Sequence, residues 1–160
     1  MLYAQNNIVF VRNIKELKPS LRSRYQQGYV NPASCKKLFP NISNDRIIYR
    51  SSYEKKFIYW CENCPQVKHW GSECIEIVYF SQLDQKTHRY YPDYLLEMVD
   101  GSKVVVEIKP YNQTKPPVNE NCWAAKEYVR NMCKWKATKA WCDARGLKFK
   151  ILTEKTIENL

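Results

Sequence analysis

Two carboxylates stand in stretches of the sequence that are otherwise typical of buried strands. Asp93 belongs to HRYYPDY, residues 88–94, and Glu107 belongs to VVVEIK, residues 104–109. A buried carboxylate costs free energy unless it is paired or coordinates a metal ion. Lys109 follows Glu107 at the spacing that puts both side chains on one face of a strand. An exposed pair of this kind contributes little to stability, but VVVEI is typical of a strand buried on both faces, which favours a functional site.

A third acid, Glu54, lies on the helix predicted for SSYEKKFIYWCEN, residues 51–63. It shares the inward face of that helix with three apolar residues, Phe57, Ile58 and Cys61. One interpretation is structural, because Ser51-x-x-Glu54 matches a capping box in which Glu54 accepts a hydrogen bond from the Ser51 amide. The other interpretation is an active-site role, which the two strand carboxylates favour.

Three carboxylates from a helix and two strands, with a lysine beside them, suit a divalent cation with oxygen ligands. Mg²⁺ binds one or two carboxylates, several waters and the phosphate oxygens of a substrate, and Mn²⁺ could replace it. Such an ion polarises a phosphodiester and activates water. Lys109 would orient or deprotonate that water and neutralise developing charge. Because the net charge is +10, the chain is predicted to be a metal-dependent nuclease.

The two strand carboxylates can share a cation only if they face the same side of the sheet. The strands flank the dipeptide Asp-Gly, a strong hairpin signal. A two-residue turn would place Asp93 opposite Ile108 and point Glu107 to the other face. A three-residue loop over 99–101 would instead place Asp93 opposite Glu107. That loop needs a left-handed residue, which Gly101 supplies at low cost, so we predict this loop or a bulge in the first strand with the same effect.

The remaining elements predict an α/β (α+β) domain over 47–160. A strand is expected at 74–80, a long helix at 121–145 with Gly146 as its C-cap, and a last strand at 147–153. The helix is predicted to face inward with Cys122, Ala125, Val129, Met132, Cys133, Ala137, Ala140 and Ala144. The order helix, three strands, helix, strand is typical of a layered domain.

Residues 1–46 differ from the rest in pattern and charge. They hold three prolines and little periodicity, which predicts an irregular arm with at most short elements. Residues 1–50 carry nine Lys and Arg against two acids. Such a segment is a candidate surface for nucleic acid, and a solvated or protein-docking arm is the equal alternative. Arg50, at its end, is a candidate DNA contact.

The seven cysteines, with no membrane-length apolar run and no signal-peptide pattern, predict a reducing compartment. Cys61-x-x-Cys64, with His69 and Cys74 nearby, could belong to a zinc knuckle of a DNA-binding module. Buried free thiols are favoured, because a closed zinc site usually shows two clear ligand pairs.

At the acidic residues the sequence resembles a known superfamily. Pro92-Asp93 and Glu107-Ile108-Lys109, with Glu54 on a preceding helix, resemble the PD-(D/E)XK nucleases, also called restriction-endonuclease-like. A wider set of segments is similar, in the same order, to head completion nucleases of contractile-tailed phages: YRSSYEKKFIYWCE, VKHWGSE, HRYYPDY, VVVEIKP, KWKATKAWC and FKILTEK. Endonuclease subunits of heteromeric transposases are similar over the same region, about residues 46–157.

The resemblance implies a restriction-endonuclease-like core and a role for each acidic residue. Asp93 and Glu107 would hold Mg²⁺, the Ile108 carbonyl would be a further ligand, Lys109 would be catalytic and Glu54 an accessory acid. Other residues match family positions or flank the motif without a fixed role. Glu73 is either a site residue or a strand-start charge, Lys134 a phosphate contact or a solvated helix residue, and Arg89 a DNA contact or an edge charge. Tyr90 and Tyr91, which could stack on DNA, are favoured as sheet packing.

The resemblance also implies a biological setting. The expected reaction is hydrolysis of phosphodiester bonds in double-stranded DNA, during head completion and head–tail joining after packaging. The expected partners are DNA and phage portal or neck proteins, without a membrane or a small-molecule substrate, in the virion or the cytoplasm of an infected bacterium. The alternative is a structural head–tail joining or DNA-binding protein with a vestigial nuclease site.

Overall fold

The computed structural model describes residues 8–11, 24–40, 42 and 47–160. The strands and α-helices within these ranges are, in chain order, β1 (Gly28–Val30), β2 (Ile47–Tyr49), α1 (Ser52–Asn63), β3 (Val67–Ser72), β4 (Ile77–Ser81), β5 (Lys86–Tyr90), β6 (Tyr94–Met98), β7 (Lys103–Ile108), α2 (Trp123–Arg145), β8 (Lys148–Leu152) and α3 (Glu154–Ile157). Short 3-10 turns occur at Pro32–Ser34 and Tyr111–Thr114. No α-helix in the described ranges is both long and apolar enough to cross a bilayer.

A four-stranded sheet forms the centre of the domain, in the order β3-β6-β7-β8. β6 pairs antiparallel with β3 and with β7, whereas β8 runs parallel to β7 after the crossover through α2. The predicted order of helix, three strands, helix and strand is confirmed for α1, this sheet and α2. The arrangement brings the start of β6 and the end of β7 to one edge of the sheet.

The first strand of that order lies earlier in the chain than predicted. It is β3, whereas the predicted strand at 74–80 contributes β4, which pairs with β5 in a separate hairpin. Ile77 and Tyr79 of β4 are buried, but Val78 and Phe80 are more than half exposed. This alternation suits a hairpin that packs against α2 through one face only.

Side chains of the central sheet alternate between two hydrophobic layers. The even-numbered residues of β7 pack into the layer that contains Phe57 of α1 and Ile157 of α3. Val105 packs into the layer that contains Leu95 of β6 and Cys142 of α2. Each fully buried aliphatic side chain contributes roughly 1.5–3 kcal/mol. The residues of β7 therefore alternate between the two layers, and Glu107 lies on the α2 side of the sheet.

The hairpin between β6 and β7 has the predicted three-residue loop. A hydrogen bond closes the base of this loop, and Gly101 has φ +86°, the left-handed conformation that the loop requires. The register pairs Tyr94 with Val106. The residues next to them, Asp93 and Glu107, consequently lie opposite each other.

The buried face of α2 differs from the predicted one. Its buried residues are Asn131, Trp135, Thr138 and Cys142. Three residues of the predicted inward face are exposed: Met132, Ala140 and Ala144. Two others, Cys133 and Ala137, do pack against the sheet. The helix is thus rotated about its axis relative to the prediction, and its buried face carries Trp135 and Cys142 together with two polar residues, Asn131 and Thr138. Gly146 ends the helix at φ +69°, as predicted.

The described part of the predicted arm is anchored to the domain. β1 pairs with β2, Phe39 is buried, and the Glu62 carboxylate accepts hydrogen bonds from the Lys36 and Lys37 amides. Its elements are short, as expected. The division into an arm over 1–46 and a domain over 47–160 stays a prediction, and five of the basic residues of the arm lie outside the described residues: Arg12, Lys15, Lys18, Arg22 and Arg46.

Candidate active site

Asp93 and Glu107 hold each other in place at the edge where β6 begins and β7 ends. The Asp93 N–H donates to Glu107 Oε2 at 3.0 Å, and the Ile108 N–H donates to Asp93 Oδ2 at 2.7 Å. Both bonds depend on the register that the Gly101 loop sets, because the two acids must lie on facing residues of neighbouring strands. The predicted juxtaposition of the two carboxylates is confirmed.

A cleft of about 250 Å³ opens beside this pair. Five residues predicted for the site line it: Arg50, Glu54, Asp93, Ile108 and Lys109. Glu107 does not line the cleft and is 4% exposed. The wall of the cleft is therefore formed by residues of α1, of the β6–β7 edge and of the segment after β7, as the sequence predicts.

Glu54 takes part both in the structure around the start of α1 and in the cleft, so elements of the capping and the active-site interpretations apply to it. Ser51 is the N-cap of α1, since its Oγ accepts a hydrogen bond from the Glu54 N–H at 3.1 Å. The Glu54 carboxylate does not complete the predicted capping box with the Ser51 amide. It accepts a hydrogen bond from the Arg50 N–H at 2.8 Å instead. From there the carboxylate lines the cleft with Asp93, so one side chain both caps the helix entry and contributes charge to the site.

Lys109 extends from the end of β7 into the cleft wall. Among the described residues, none forms a hydrogen bond or ion pair with its ammonium group. Its charge nevertheless acts on both strand carboxylates, where it opposes the rise of their pKa values. The ammonium is therefore available to a water molecule or a phosphate in the cleft.

Lys134 is half-buried on α2 and lies over two aromatic rings. Its Nζ is 5.8 Å from the centre of the Tyr79 ring and 5.3 Å from that of Tyr90. Burial, and then the neighbouring Lys109 charge, lower the pKa of Lys134. Tyr90 is buried and its hydroxyl donates to the Lys134 carbonyl at 3.1 Å, which confirms the packing interpretation of this tyrosine.

The two arginines predicted to contact DNA occupy different surroundings. Arg50 lines the cleft, and its guanidinium pairs with Glu73 at 3.0 Å. The Arg89 side chain is 72% exposed on β5, with Glu76 at 3.6 Å. Arg89 does not line the cleft, so the structure brings Arg50 to the site and leaves Arg89 on the separate hairpin.

Burial is the main cause of the raised pKa values of the three carboxylic acids at the site. Burial and then the nearby Asp93 charge raise the pKa of Glu107 to about 8, and the same two causes raise the pKa of Glu54 to about 7. Burial also raises the pKa of Asp93, although the Lys109 charge and the Ile108 N–H oppose the rise. Such a site favours an added positive charge, because a cation would stabilise the ionised carboxylates.

The metal-free protein is expected to lose stability as the pH rises from 4.5 to about 8, the two pKa values of Glu107 in the unfolded and folded chain. In this window the folded state binds more protons than the unfolded state. The free energy of unfolding therefore falls by about 1.4 kcal/mol per pH unit for each such proton. Urea denaturation in EDTA, at both ends of the window, measures the slope. Glu107→Gln should reduce it, and a variant with the wild-type slope would contradict the raised pKa.

The donor set fits a hard divalent cation that keeps part of its water shell. Within the described ranges, no group of three or more His, Cys, Asp or Glu side chains is arranged to hold a metal ion. Mg²⁺ needs only one or two carboxylates in addition to waters and substrate oxygens. Asp93 and Glu107 could serve as these two, since the hydrogen bonds between them use Oδ2 and Oε2 and leave Oδ1 and Oε1 free of each other. Elsewhere, the seven cysteines are free thiols, of which Cys61, Cys74 and Cys142 are buried.

Sequence reasoning missed part of the cleft wall. Tyr25, Tyr53, Pro110, Gln113 and Glu154 line it as well. Gln113 and Pro110 follow Lys109 closely in the chain, which is a signal that they could lie near the site. Glu154 accepts a hydrogen bond from the Tyr111 N–H at 2.8 Å, so it ties the loop after β7 to α3. No local pattern marks Tyr25.

Comparison with known proteins identifies relatives over most of the described domain. A family model described as TnsA-like endonuclease N terminal matches residues 64–154. The head completion nuclease of Enterobacteria phage T4 is 36% identical in an alignment 125 residues long that covers 72% of this chain and 83% of that protein. The family match includes Asp93, Glu107 and Lys109, while Glu54 precedes it. The chain therefore belongs to the TnsA-like endonuclease family, and its α+β architecture is the restriction-endonuclease-like fold that the sequence predicts.

Proposed function

We propose that the protein is a Mg²⁺-dependent DNA nuclease that hydrolyses phosphodiester bonds. The observation that carries this proposal is the reciprocal pair of Asp93 and Glu107 beside Lys109, at the edge of a cleft in a chain of net charge +10. Two desolvated carboxylates beside an ammonium group are costly for stability. A bound cation would offset that cost by stabilising the ionised carboxylates, and the Lys109 ammonium would pair with the phosphodiester.

Each residue of the site has a distinct role in this proposal. When bound, the divalent ion supplies Lewis-acid polarisation of the phosphate and acidifies water, with Mn²⁺ able to replace Mg²⁺. Asp93 and Glu107 hold it, and the Ile108 carbonyl is the proposed third protein ligand. Lys109 orients the attacking water and neutralises charge on the phosphate. Glu54 adds negative charge at the entrance of the site.

The proposed DNA contacts are Arg50, Lys134 and Arg89. Arg50 and Lys134 both lie near Asp93, so they would contact the phosphates next to the scissile bond. Arg89, on the exposed face of β5, would contact the backbone farther away. Such contacts position the duplex and release counterions, without reading sequence.

The setting proposed for this activity is completion of a phage head. The T4 relative is named for that process, and we extend the role to this chain. The partners would then be packaged double-stranded DNA and portal or neck proteins, in the infected bacterium and the virion, with head–tail joining as the step that follows.

Cleavage of supercoiled plasmid DNA by the full chain tests the proposed activity. Nicked and linear products are expected with Mg²⁺ or Mn²⁺, and none with EDTA. Circular DNA has no ends, so these products also show endonucleolytic cleavage. If neither Mg²⁺ nor Mn²⁺ supported cleavage, the result would contradict the proposal and favour the structural head–tail joining alternative.

Glu54→Gln is expected to lower the cleavage rate roughly tenfold to a hundredfold without a loss of stability. Glutamine retains an oxygen that can accept the Arg50 N–H bond, but it removes a charge from the cleft. A rate reduction of this size is typical when a residue next to the metal ligands is changed. Cleavage rates and thermal melts of the same sample measure both effects, with the exposed Glu158→Gln as a control. A normal rate would return Glu54 to a capping role alone.

A further inference from the structure

Glu73 has an uncommon backbone conformation next to the proposed site. It directly follows β3 and has φ +46°, a left-handed conformation that non-glycine residues seldom adopt. Its N–H donates to the Asp93 carbonyl at 3.0 Å. This bond continues the pairing of Ser72 with Tyr94 by one residue beyond the strands. Asp93 therefore lies between Glu107 on one neighbouring strand and Glu73 on the other.

The side chain of Glu73 holds the arginine of the cleft. Its Oε1 is 3.0 Å from Arg50 Nη1, and the side chains are 15% and 41% exposed, respectively. The backbone N–H of the same arginine donates to Glu54 Oε2 at 2.8 Å. Arg50 thus connects Glu73 to Glu54 and lines the same cleft as Asp93.

A guanidinium beside metal-binding carboxylates creates a conflict. Arginine forms strong two-point ion pairs with carboxylates, and the long Arg50 side chain lines the same cleft as Asp93. Such a pair would occupy the oxygens that a divalent cation needs. A fixed acidic partner to one side of the cleft removes the conflict, and Glu73 occupies that place.

We propose that Glu73 is a positioning residue that holds the Arg50 guanidinium away from the Asp93 carboxylate and so keeps that carboxylate available to a divalent cation. The proposal rests on the metal-dependent nuclease function. It assigns Glu73 no contact with the cation or the DNA. The strained backbone of Glu73 is then the means by which its carboxylate reaches Arg50 while its N–H fixes Asp93.

Calorimetric titration of the full chain with Mn²⁺, without DNA, tests this role through a double-mutant cycle. Glu73→Gln should weaken Mn²⁺ affinity about tenfold, the size typical of residues that orient metal ligands. Arg50→Gln should cause no loss, because it removes the competing cation. The double variant should bind Mn²⁺ as tightly as Arg50→Gln, and this non-additivity identifies an effect transmitted through Arg50. The absence of DNA excludes any contribution from phosphate contacts of Arg50.

Two outcomes would overturn the inference while leaving the proposed function intact. Unchanged affinity in Glu73→Gln would make the ion pair purely structural. A double variant as weak as Glu73→Gln would show that the effect of Glu73 on the cation does not pass through Arg50. Thermal melts verify folding, and Glu73→Asn, which tolerates the left-handed conformation, replaces Glu73→Gln if the latter does not fold. If the wild-type chain binds no Mn²⁺, the proposed function is contradicted, and the inference with it. If the wild-type chain binds Mn²⁺ and the Glu73 variants bind it with the same affinity, only the inference is contradicted.

Discussion

Asp93→Asn is expected to reduce metal-supported DNA cleavage by about 10³-fold or more while the fold is retained. Asparagine keeps the volume of the side chain and an oxygen that can accept the Ile108 N–H. It lacks the negative charge that holds a divalent cation. A loss of several kcal/mol of transition-state stabilisation corresponds to a rate loss of this size. Initial rates of plasmid cleavage and thermal melts of the same samples measure the two effects.

Glu107→Gln should cause a similar loss of rate but increase the stability of the metal-free protein near neutral pH. The amide can still accept the Asp93 N–H, and the cost of ionising a buried carboxyl disappears. Asp143→Asn is a matched control, since Asp143 is exposed on α2 and pairs with Lys139. Cleavage by either site variant at the rate of this control would refute the assignment of that carboxylate.

The juxtaposition of these two acids could be predicted because local chemistry determines the strand register. Loop length decides which residues face each other, and a Gly in the left-handed region decides the loop length. Gly101 is such a residue. The N-cap at Ser51 and the C-cap at Gly146 follow from equally local preferences.

The elements that sequence reasoning misplaced depend on tertiary context. An alternating segment such as 74–80 suits any half-buried strand, so its pattern does not specify which sheet receives it. The apolar residues of α2 surround much of the helix, and packing partners choose the buried face. The capping-box pattern likewise predicts that the Glu54 carboxylate accepts a hydrogen bond from the Ser51 amide. In the structure it accepts one from the Arg50 amide instead.

The remaining walls of the cleft come from parts of the chain that are far apart in sequence. Tyr25 is close to β1, which pairs with β2 just before α1. Glu154 follows β8, whose parallel pairing with β7 brings it beside the residues after Lys109. Such contacts are consequences of the assembled sheet, and single-sequence patterns carry no signal for them.

Lys109→Met is expected to lower the rate of cleavage by roughly 10²–10⁴-fold, the contribution of a positioned acid–base group. Methionine keeps most of the side-chain length and removes the ammonium that no described residue engages. Mn²⁺ affinity should be equal or higher, because a positive charge next to Asp93 and Glu107 is lost. A reduced rate with undiminished metal binding would separate Lys109 from the two carboxylates, whose variants lose both.

Lys103→Met provides the control for this prediction. Lys103 is the first residue of β7, whereas Lys109 directly follows its last residue, and the even spacing between them places both on the same side of the sheet. At its end of β7 the Lys103 Nζ is 3.9 Å from Glu97. A general loss of positive charge would affect DNA binding in both variants, whereas a role at the scissile phosphate predicts a loss of turnover at saturating DNA in Lys109→Met alone. Equal cleavage rates in the two variants would contradict that role, and a defect in Lys109→Met that saturating DNA removes would make Lys109 a binding residue instead.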